Sequence, residues 1–302
     1  MYFFSFCLQN YKNILTFANY LVKNSKKMNN FFQRTLSAFA YAGVVIASIL
    51  LNPAYFGIVF MIISAWAIFE YHKLVQTSTK GACYAIASSV LLFATLYFQF
   101  LGNPVSEYLL FGYLAILTLA IIRQLFIEND NPIHHWGYLC SSQIMVALPF
   151  ALMNGILMHS KWLMLALLII IWVNDSGAYI VGSLLAKRAK GNHKMFPRVS
   201  PAKSWEGLIG GLVFDLIAGY VFYHIGWTET LSLTPYPLLD SLLFALIVGI
   251  VGTLGDLIES LFKRTLGVKD SGKFLPGHGG VLDRFDSLLL AAPVAYILFV
   301  YL

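Results

Sequence analysis

Nine apolar runs, 16 to 20 residues long, constrain the fold of this chain more than any other feature. They cover roughly residues 35–51, 53–69, 82–101, 108–127, 138–156, 162–181, 207–225, 238–255 and 287–302. A run of this length is what an α-helix needs to cross the hydrocarbon core of a bilayer. Only 11% of the residues are charged, too few to cover a water-facing surface. The sequence therefore predicts an all-α, polytopic membrane helix bundle with about nine transmembrane helices.

The basic residues give these predicted spans a direction. With the N-terminus inside and the spans alternating, nineteen of the 20 Lys and Arg residues fall in inside segments, and only Lys161 falls outside. Cytoplasmic loops of membrane proteins carry this excess of positive charge. We therefore expect a multi-pass protein of the cell's inner (plasma) membrane, with a cytoplasmic N-terminus and the C-terminus outside. Short basic clusters between apolar runs indicate a bilayer as partner, and no nucleic acid is expected.

Three regions differ in character along the chain. Residues 1–27 are rich in aromatic residues, Asn and Lys, and a second methionine follows at Met28. They are either an interfacial amphipathic segment or an upstream extension of a chain that functionally starts at Met28, and we favour the extension. Residues 28–160 hold few charges within their spans and are predicted to be a membrane scaffold. Residues 161–302 contain the polar motifs and are predicted to be the catalytic membrane region.

Acidic residues in or beside the last spans carry the predicted chemistry, because ionisable groups at membrane depth are costly and mark functional sites. They are Asp175, Asp256, Glu259, Asp283 and Asp286. The last four form two pairs spaced three apart, which share a face on a helix. The cations near them are Lys263, Arg264, Lys269 and Arg284. This mixture suits Mg²⁺ with phosphate groups, since carboxylates hold the metal and cations bind phosphate oxygens.

Several of these residues also have structural interpretations. Asp283 and Arg284 alone could form a structural ion pair. Gly279 and Gly280 could form only a flexible turn, although their N–H groups could also cradle a phosphate, with His278 as a hydrogen-bonding neighbour rather than a metal ligand. Asp215, within the seventh span, is either a buried hydrogen-bonding residue or part of a polar cavity, and we favour the structural role.

The polar motifs resemble those of one known family. From Ser260 to Asp286 the chain reads S-x2-K-R-x4-K-D-x5-P-x-H-G-G-x2-D-R-x-D. This pattern is similar, without departure, to the signature of the phosphatidate cytidylyltransferases, also called CDP-diacylglycerol synthases. The stretches N-D-S-G-A-Y at 174–179 and S-P-x-K-x-W-E-G at 200–207 also resemble that family. The likeness at motif level runs from Trp172 to Ser287.

The resemblance implies a reaction and a set of roles. CTP and phosphatidate would give CDP-diacylglycerol and pyrophosphate, with Mg²⁺, alone or with a second cation, and with a homodimer as the assembly. The implied metal ligands are Asp256 and Asp283, then Asp286, Glu259 and Asp175. The implied catalytic residues are Asp256, Asp283, Lys263, Arg264 and Arg284. The implied substrate-binding residues are Ser200, Lys203, Ser260, Lys269, His278, Gly279 and Gly280.

Three other functions compete with this interpretation. A transporter or channel would also carry intramembrane acidic residues, but most of them lie at one face here rather than along a pathway. A related lipid CTP-transferase could act on another lipid phosphate or a polyprenol. A CDP-alcohol phosphatidyltransferase would carry a spaced D-G-x-x-A-R element, which this sequence lacks.

Overall fold

Helices account for about four-fifths of the chain that the computed structural model describes, which comprises residues 39–128, 131–186, 192–272 and 279–301. Within these ranges, eight helices are long and apolar enough to cross a membrane. They correspond to the second to ninth predicted spans, and a shorter apolar helix, Phe39–Leu51, corresponds to the first. The prediction of an all-α, polytopic membrane bundle is therefore confirmed. The predicted extension, residues 1–27, lies outside the described residues.

The elements follow one another with short connections. The first helices are α1 (Phe39–Leu51), α2 (Pro53–Leu74), α3 (Thr79–Phe100) and α4 (Val105–Ile122), which ends in a 3-10 turn (Arg123–Phe126). Next come α5 (Pro132–Ser142) and α6 (Leu148–His159), joined by a π-helical turn (Gln143–Ala147) into one span. The remaining elements are α7 (Lys161–Ala186), β1 (Lys194–Phe196), β2 (Ser200–Ser204), α8 (Trp205–His224), α9 (Pro237–Thr265) and α10 (Leu282–Tyr296), the last continuing as a π-helical turn (Ile297–Tyr301).

The helices that carry the acidic pairs are longer than predicted. Helix α9 continues to Thr265, beyond the predicted end at residue 255. It continues because side-chain pairs one turn apart support it: Ser260 donates to Asp256 at 3.1 Å, and the Lys263 ammonium lies 2.5 Å from the Glu259 carboxylate. Helix α10 likewise begins at Leu282 rather than at residue 287. The four acidic residues of the two pairs therefore lie within helices α9 and α10, not in the connection between the helices.

A small antiparallel hairpin interrupts the helical architecture between α7 and α8. Strand β1 pairs with β2 so that Lys194 lies opposite Ser204 and Phe196 lies opposite Ser200. Ser204 then begins α8, because its hydroxyl accepts a hydrogen bond from the Gly207 N–H at 3.1 Å. The strands were not predicted from the sequence, in which this segment falls between the apolar runs 162–181 and 207–225.

An aromatic cluster in the core joins the first half of the chain to α10. The ring of Phe285 packs edge-on against Phe60 of α2 and Phe150 of α6, with centroid distances of 5.9 and 5.0 Å. All three side chains are buried. Because Phe285 lies between Asp283 and Asp286, its anchoring in the core fixes how both carboxylates project from α10.

Candidate active site

A cavity of about 470 Å³ lies where α7, α9 and α10 meet the short helix α1. Apolar residues of α7 and α10, such as Leu168 and Leu288, form part of its wall. The charged part of the wall consists of Asp175, Asp256, Asp283, Arg284 and Asp286. Five residues that the sequence predicted for the site therefore line one cavity, which the bundle encloses between membrane-spanning helices.

Three carboxylates form the tightest acidic group in the described part of the chain. Asp256 and Glu259 of α9 and Asp286 of α10 each offer an oxygen, and these atoms lie within 4.8 Å of one another. Two helices approach closely here because Gly255 has no side chain: a Cβ atom at that position would lie 2.7 Å from the Asp286 carbonyl oxygen. An all-oxygen donor set of this kind fits Mg²⁺ and does not favour zinc.

Asp283 projects in a different direction from Asp286, although both lie in the first turns of α10. Its Oδ1 atom accepts a hydrogen bond from Lys263 at 2.6 Å. Its Oδ2 atom accepts from the Ser271 N–H at 2.8 Å, the Ser271 hydroxyl at 3.0 Å and the Gly280 N–H at 2.7 Å. The protein itself therefore occupies both oxygens of this carboxylate, which holds the α9–α10 connection in place.

Lys203 links the hairpin to α9 at the edge of the cavity. Its ammonium lies 2.7 Å from Asp256 Oδ2 and donates to the Thr253 carbonyl oxygen at 3.3 Å. The other oxygen of Asp256 accepts from Ser260 at 3.1 Å. Lys203, Asp256 and Ser260 were all predicted for the site, and the structure brings them together. A second cavity, of about 310 Å³, lies on the hairpin side of Lys203 and Asp175.

Behind the cavity, a buried polar network joins α7, α8 and α9. The Asn174 amide donates to Asp215 Oδ2 at 2.5 Å, and the Thr253 hydroxyl donates to Asn174 Oδ1 at 3.1 Å. Asp215 is fully buried and does not line the cavity. Gly249 leaves room for it, since a Cβ atom there would collide with the Asp215 carboxylate. Asp215 is thus a buried hydrogen-bonding residue that packs the helices behind the site.

Other predicted site residues lie apart from the cavity. The exposed Arg264 guanidinium donates to the carbonyl oxygens of Val199 and Val268, at 3.4 and 3.2 Å. Lys269 is exposed on the connection after α9, and Ser200 opens strand β2. Neither Lys269 nor Ser200 forms a side-chain hydrogen bond to another described site residue. His278 lies outside the described residues.

The two predicted glycines adopt conformations that a side chain would obstruct. Gly279 has a φ of +83°, in the left-handed region, and a Cβ atom there would lie 2.5 Å from Asp283 Oδ2. A Cβ atom on Gly280 would lie 2.7 Å from the Gly272 N–H nitrogen and would also collide with Ser271 and Glu70. The backbone here therefore contacts the Asp283 carboxylate and the α9–α10 connection directly.

Three residues at or beside the site were not predicted from the sequence. Tyr41 of α1 lines the cavity, and Ser271 binds Asp283. Glu70 of α2 reaches the α9–α10 connection from the predicted scaffold, where it accepts from Ser271. Glu70 carried a usable signal, since it is an acidic residue directly after a predicted apolar run, like Asp256. Tyr41 and Ser271 carried none, because neither their residue type nor their position stands out.

Comparison with known proteins adds an independent result. The cytidylyltransferase family matches residues 32–302, which is most of the chain. The chain belongs to the cytidylyltransferase family. Among this family's members, the phosphatidate cytidylyltransferase of Bacillus subtilis is 32% identical over 274 residues, covering 88% of this chain and 96% of that protein. That of Haemophilus influenzae is 32% identical over 292 residues, covering 86% and 96%. That of Pseudomonas aeruginosa is 33% identical over 273 residues, covering 87% and 94%.

Family membership and the apolar helices agree with each other. A cytidylyltransferase whose described part contains eight potential membrane-spanning helices is a multi-pass membrane protein. The resemblance drawn from the sequence motifs is confirmed, because the match extends well beyond the segment from Trp172 to Ser287 on which that resemblance rested.

Proposed function

We propose that this chain is a phosphatidate cytidylyltransferase, which transfers CMP from CTP to phosphatidate and releases pyrophosphate. The observation that carries the proposal is the joining of three carboxylates, those of Asp256, Glu259 and Asp286, beside a cavity that also holds Arg284. Carboxylates with a cation in one cavity suit a reaction between phosphate groups. The relatives named above have this activity by name.

The reaction needs no strong base, but it needs the negative charges of both substrates to be neutralised. A phosphate oxygen of phosphatidate attacks the α-phosphorus of CTP, and the bond from that phosphorus to the oxygen bridging to the β-phosphate breaks. A phosphomonoester is already anionic at neutral pH, so no strong base is needed. The two anionic substrates repel each other, and the site must neutralise and align them.

The acidic group fits the Mg²⁺ that the resemblance implies. Asp256, Glu259 and Asp286 would hold the ion, with Asp175 across the cavity as a further carboxylate. When bound, Mg²⁺ neutralises phosphate oxygens and stabilises the leaving pyrophosphate. A direct role of Asp283 as a ligand stays a prediction, and it would require Asp283 to give up hydrogen bonds that its oxygens accept from Lys263, Ser271 or Gly280. A second cation stays a prediction.

The cations of the site divide into two roles. The Arg284 side chain is exposed and lines the cavity, and its guanidinium forms no hydrogen bond or ion pair with another described residue, so it is available to a phosphate. Lys203 and Lys263 are engaged by carboxylates, at 2.7 Å for Asp256 and 2.6 Å for Asp283. These two lysines keep the acidic residues in position and limit the repulsion among them. We therefore assign phosphate binding to Arg284 rather than to either lysine.

An apolar groove offers a place for the lipid tails. It has a volume of about 300 Å³, lies between α9, α10 and the π-helical turn after α5, and ends at Glu259 and Asp286. Its other walls come from side chains such as Met145, Phe262 and Leu289. A phosphatidate whose tails follow this groove would bring its phosphate to the acidic group from the bilayer, while CTP would arrive from the aqueous side.

The decisive experiment uses purified full-length protein in detergent, with CTP labelled at the α-phosphate. Label should enter a lipid product only when phosphatidate and Mg²⁺ are both present, and pyrophosphate should appear in equal amount. A transporter would release no pyrophosphate, and that result would overturn the proposal. Replacing phosphatidate by a polyprenyl phosphate tests the other acceptor, and should give little product. The homodimer that the resemblance implies is tested separately, by the mass of the purified particle.

A further inference from the structure

Glu70 is a buried acidic residue that the proposed reaction leaves without a role. It lies near the end of α2, in the predicted scaffold, and only 4% of it is exposed. Its Oε2 atom accepts a hydrogen bond from the Leu282 N–H at 3.1 Å and from the Ser271 hydroxyl at 3.2 Å. Burying a carboxylate costs free energy unless hydrogen bonds or opposite charges compensate for the lost hydration. Both of its partners belong to the segment that carries Asp283.

Glu70 caps the start of α10 from a distant part of the chain. The first N–H groups of a helix need acceptors, and a nearby side chain usually supplies one. Val281, at the cap position of α10, cannot do so and forms no such bond. The Glu70 carboxylate accepts from Leu282 instead, and its negative charge is favourable at a helix N-terminus. The position of the first turn of α10 therefore depends on α2.

Ser271 connects this cap to the site. Its hydroxyl lies 3.2 Å from Glu70 Oε2 and 3.0 Å from Asp283 Oδ2, so its single proton is shared between a scaffold carboxylate and a site carboxylate. The Ser271 N–H also donates to Asp283 at 2.8 Å. A displacement of Ser271 would therefore also displace Asp283. It would in turn disturb the Lys263 ammonium, which lies 2.6 Å from Asp283 Oδ1.

Two further contacts make this arrangement rigid. Gly280 packs so tightly against Glu70 and Ser271 that a Cβ atom would collide with both. Next to Glu70, the Tyr71 ring stacks on Phe262 of α9, with centroids 5.0 Å apart and planes 7° from parallel. The end of α2 is therefore attached to α9 beside Lys263 and to the start of α10 beside Asp283.

We infer that Glu70 is a positioning residue of the transferase site, acting through Ser271 and the first turn of α10 on Asp283, Arg284 and Asp286. It touches none of the three itself by a hydrogen bond, so its effect is on their placement. The inference rests on the proposed function for its kinetic readout. Helix α2, which was predicted to belong to the scaffold, would therefore help to position the residues of the site.

The test compares Glu70→Ala, Glu70→Gln and the control Glu107→Ala, an exposed acidic residue in the first turn of α4. We expect Glu70→Ala to lower kcat, per folded enzyme, by about 10-fold to 100-fold, as removal of supporting partners of a site does. The KM for CTP should change less, because the cavity persists. Glu70→Gln keeps an oxygen for the Leu282 N–H and should recover most of kcat, and Glu107→Ala should match wild type.

A double-mutant cycle with Ser271→Ala separates positioning from general stability. If Glu70 acts through Ser271, the two losses in kcat should overlap and the double variant should resemble the worse single variant. Additive losses, or a kcat for Glu70→Ala within about twofold of wild type, would overturn the inference. If Glu70→Ala does not fold, the same cycle is run with Glu70→Met, which fills a similar volume but cannot accept from the Leu282 N–H or the Ser271 hydroxyl. An inactive wild-type protein would instead count against the proposed function, so the two failures are distinguishable.

Discussion

The ammonium of Lys263 lies 2.6 Å from Asp283 Oδ1 and joins the end of α9 to the start of α10. The same ammonium lies 2.5 Å from Glu259 Oε2, and the three side chains are at most 10% exposed. One cation therefore balances two buried carboxylates. The acidic group of the site depends on this pairing with Lys263, because neighbouring carboxylates repel each other when no cation lies between them.

Lys263→Met should destabilise the protein by about 3–5 kcal/mol, because it leaves two buried carboxylates without their shared partner. Thermal unfolding in detergent measures the loss. Lys80→Met, at an exposed position in the first turn of α3, is the matched control and should have no effect. Adding Glu259→Gln to Lys263→Met should restore part of the stability. A double variant less stable than Lys263→Met would contradict the shared-partner account.

Asp283→Asn should abolish CTP-dependent and Mg²⁺-dependent formation of CDP-diacylglycerol. Asparagine keeps the shape of the side chain but loses the charge that pairs with Lys263, and its NH₂ group cannot accept from the Gly280 or Ser271 N–H groups. The amount of variant in the membrane fraction should equal that of wild type, which controls for insertion. Turnover like that of wild type would show that Asp283 has no essential role.

Arg284→Lys should lower kcat/KM by about 10-fold to 100-fold, because lysine keeps the charge but loses the second of two parallel hydrogen bonds to a phosphate. Steady-state kinetics with CTP and phosphatidate measure the change. The control is Arg123→Lys, since Arg123 donates to Ser78 and lies outside the cavity. Near-normal kinetics for Arg284→Lys would reduce this residue to a general counter-charge.

Asp286→Asn should raise the Mg²⁺ concentration needed for half-maximal activity by about tenfold or more, because it removes one carboxylate from the acidic group. Stabilisation of the protein by Mg²⁺ in a thermal-unfolding assay gives a readout that does not need turnover. Asp215→Asn is the comparison, since Asp215 is buried outside the cavity. An unchanged Mg²⁺ requirement in Asp286→Asn would remove Asp286 from the proposed ligands.

A reporter fused after Leu302 should be found outside the cell membrane, and one inserted between residues 187 and 191 should be cytoplasmic. The reason is the charge asymmetry, which places only Lys161 among the 20 Lys and Arg residues on the outer side. Enzymatic reporters active in only one compartment measure this directly. A cytoplasmic reporter after Leu302 would contradict the topology with nine spans.

The sequence predicted the helices well because membrane spans follow from length and hydropathy, which are local properties. It also identified Asp256, Glu259 and Asp286, since acidic residues in apolar surroundings are conspicuous. It placed the end of α9 too early, because hydropathy falls at Asp256 although the helix continues to Thr265. The signals for helix continuation, such as the pair of Glu259 and Lys263, are contacts between side chains rather than properties of single residues.

The helical membrane architecture and the cytidylyltransferase motifs follow from the order of the amino acids alone, because hydropathy, charge and residue spacing are properties of the chain. Helix packing, in contrast, sets which carboxylate oxygens lie close enough together to hold one cation. Asp283 and Asp286 have the same spacing as Asp256 and Glu259, yet Asp283 binds Lys263 and Ser271 while Asp286 joins the other pair. Only packing brought Glu70 of α2 to Leu282 of α10, across 212 residues of sequence. Contacts between residues so far apart depend on how the helices pack against one another, and the pattern of residues along one helix does not encode that packing.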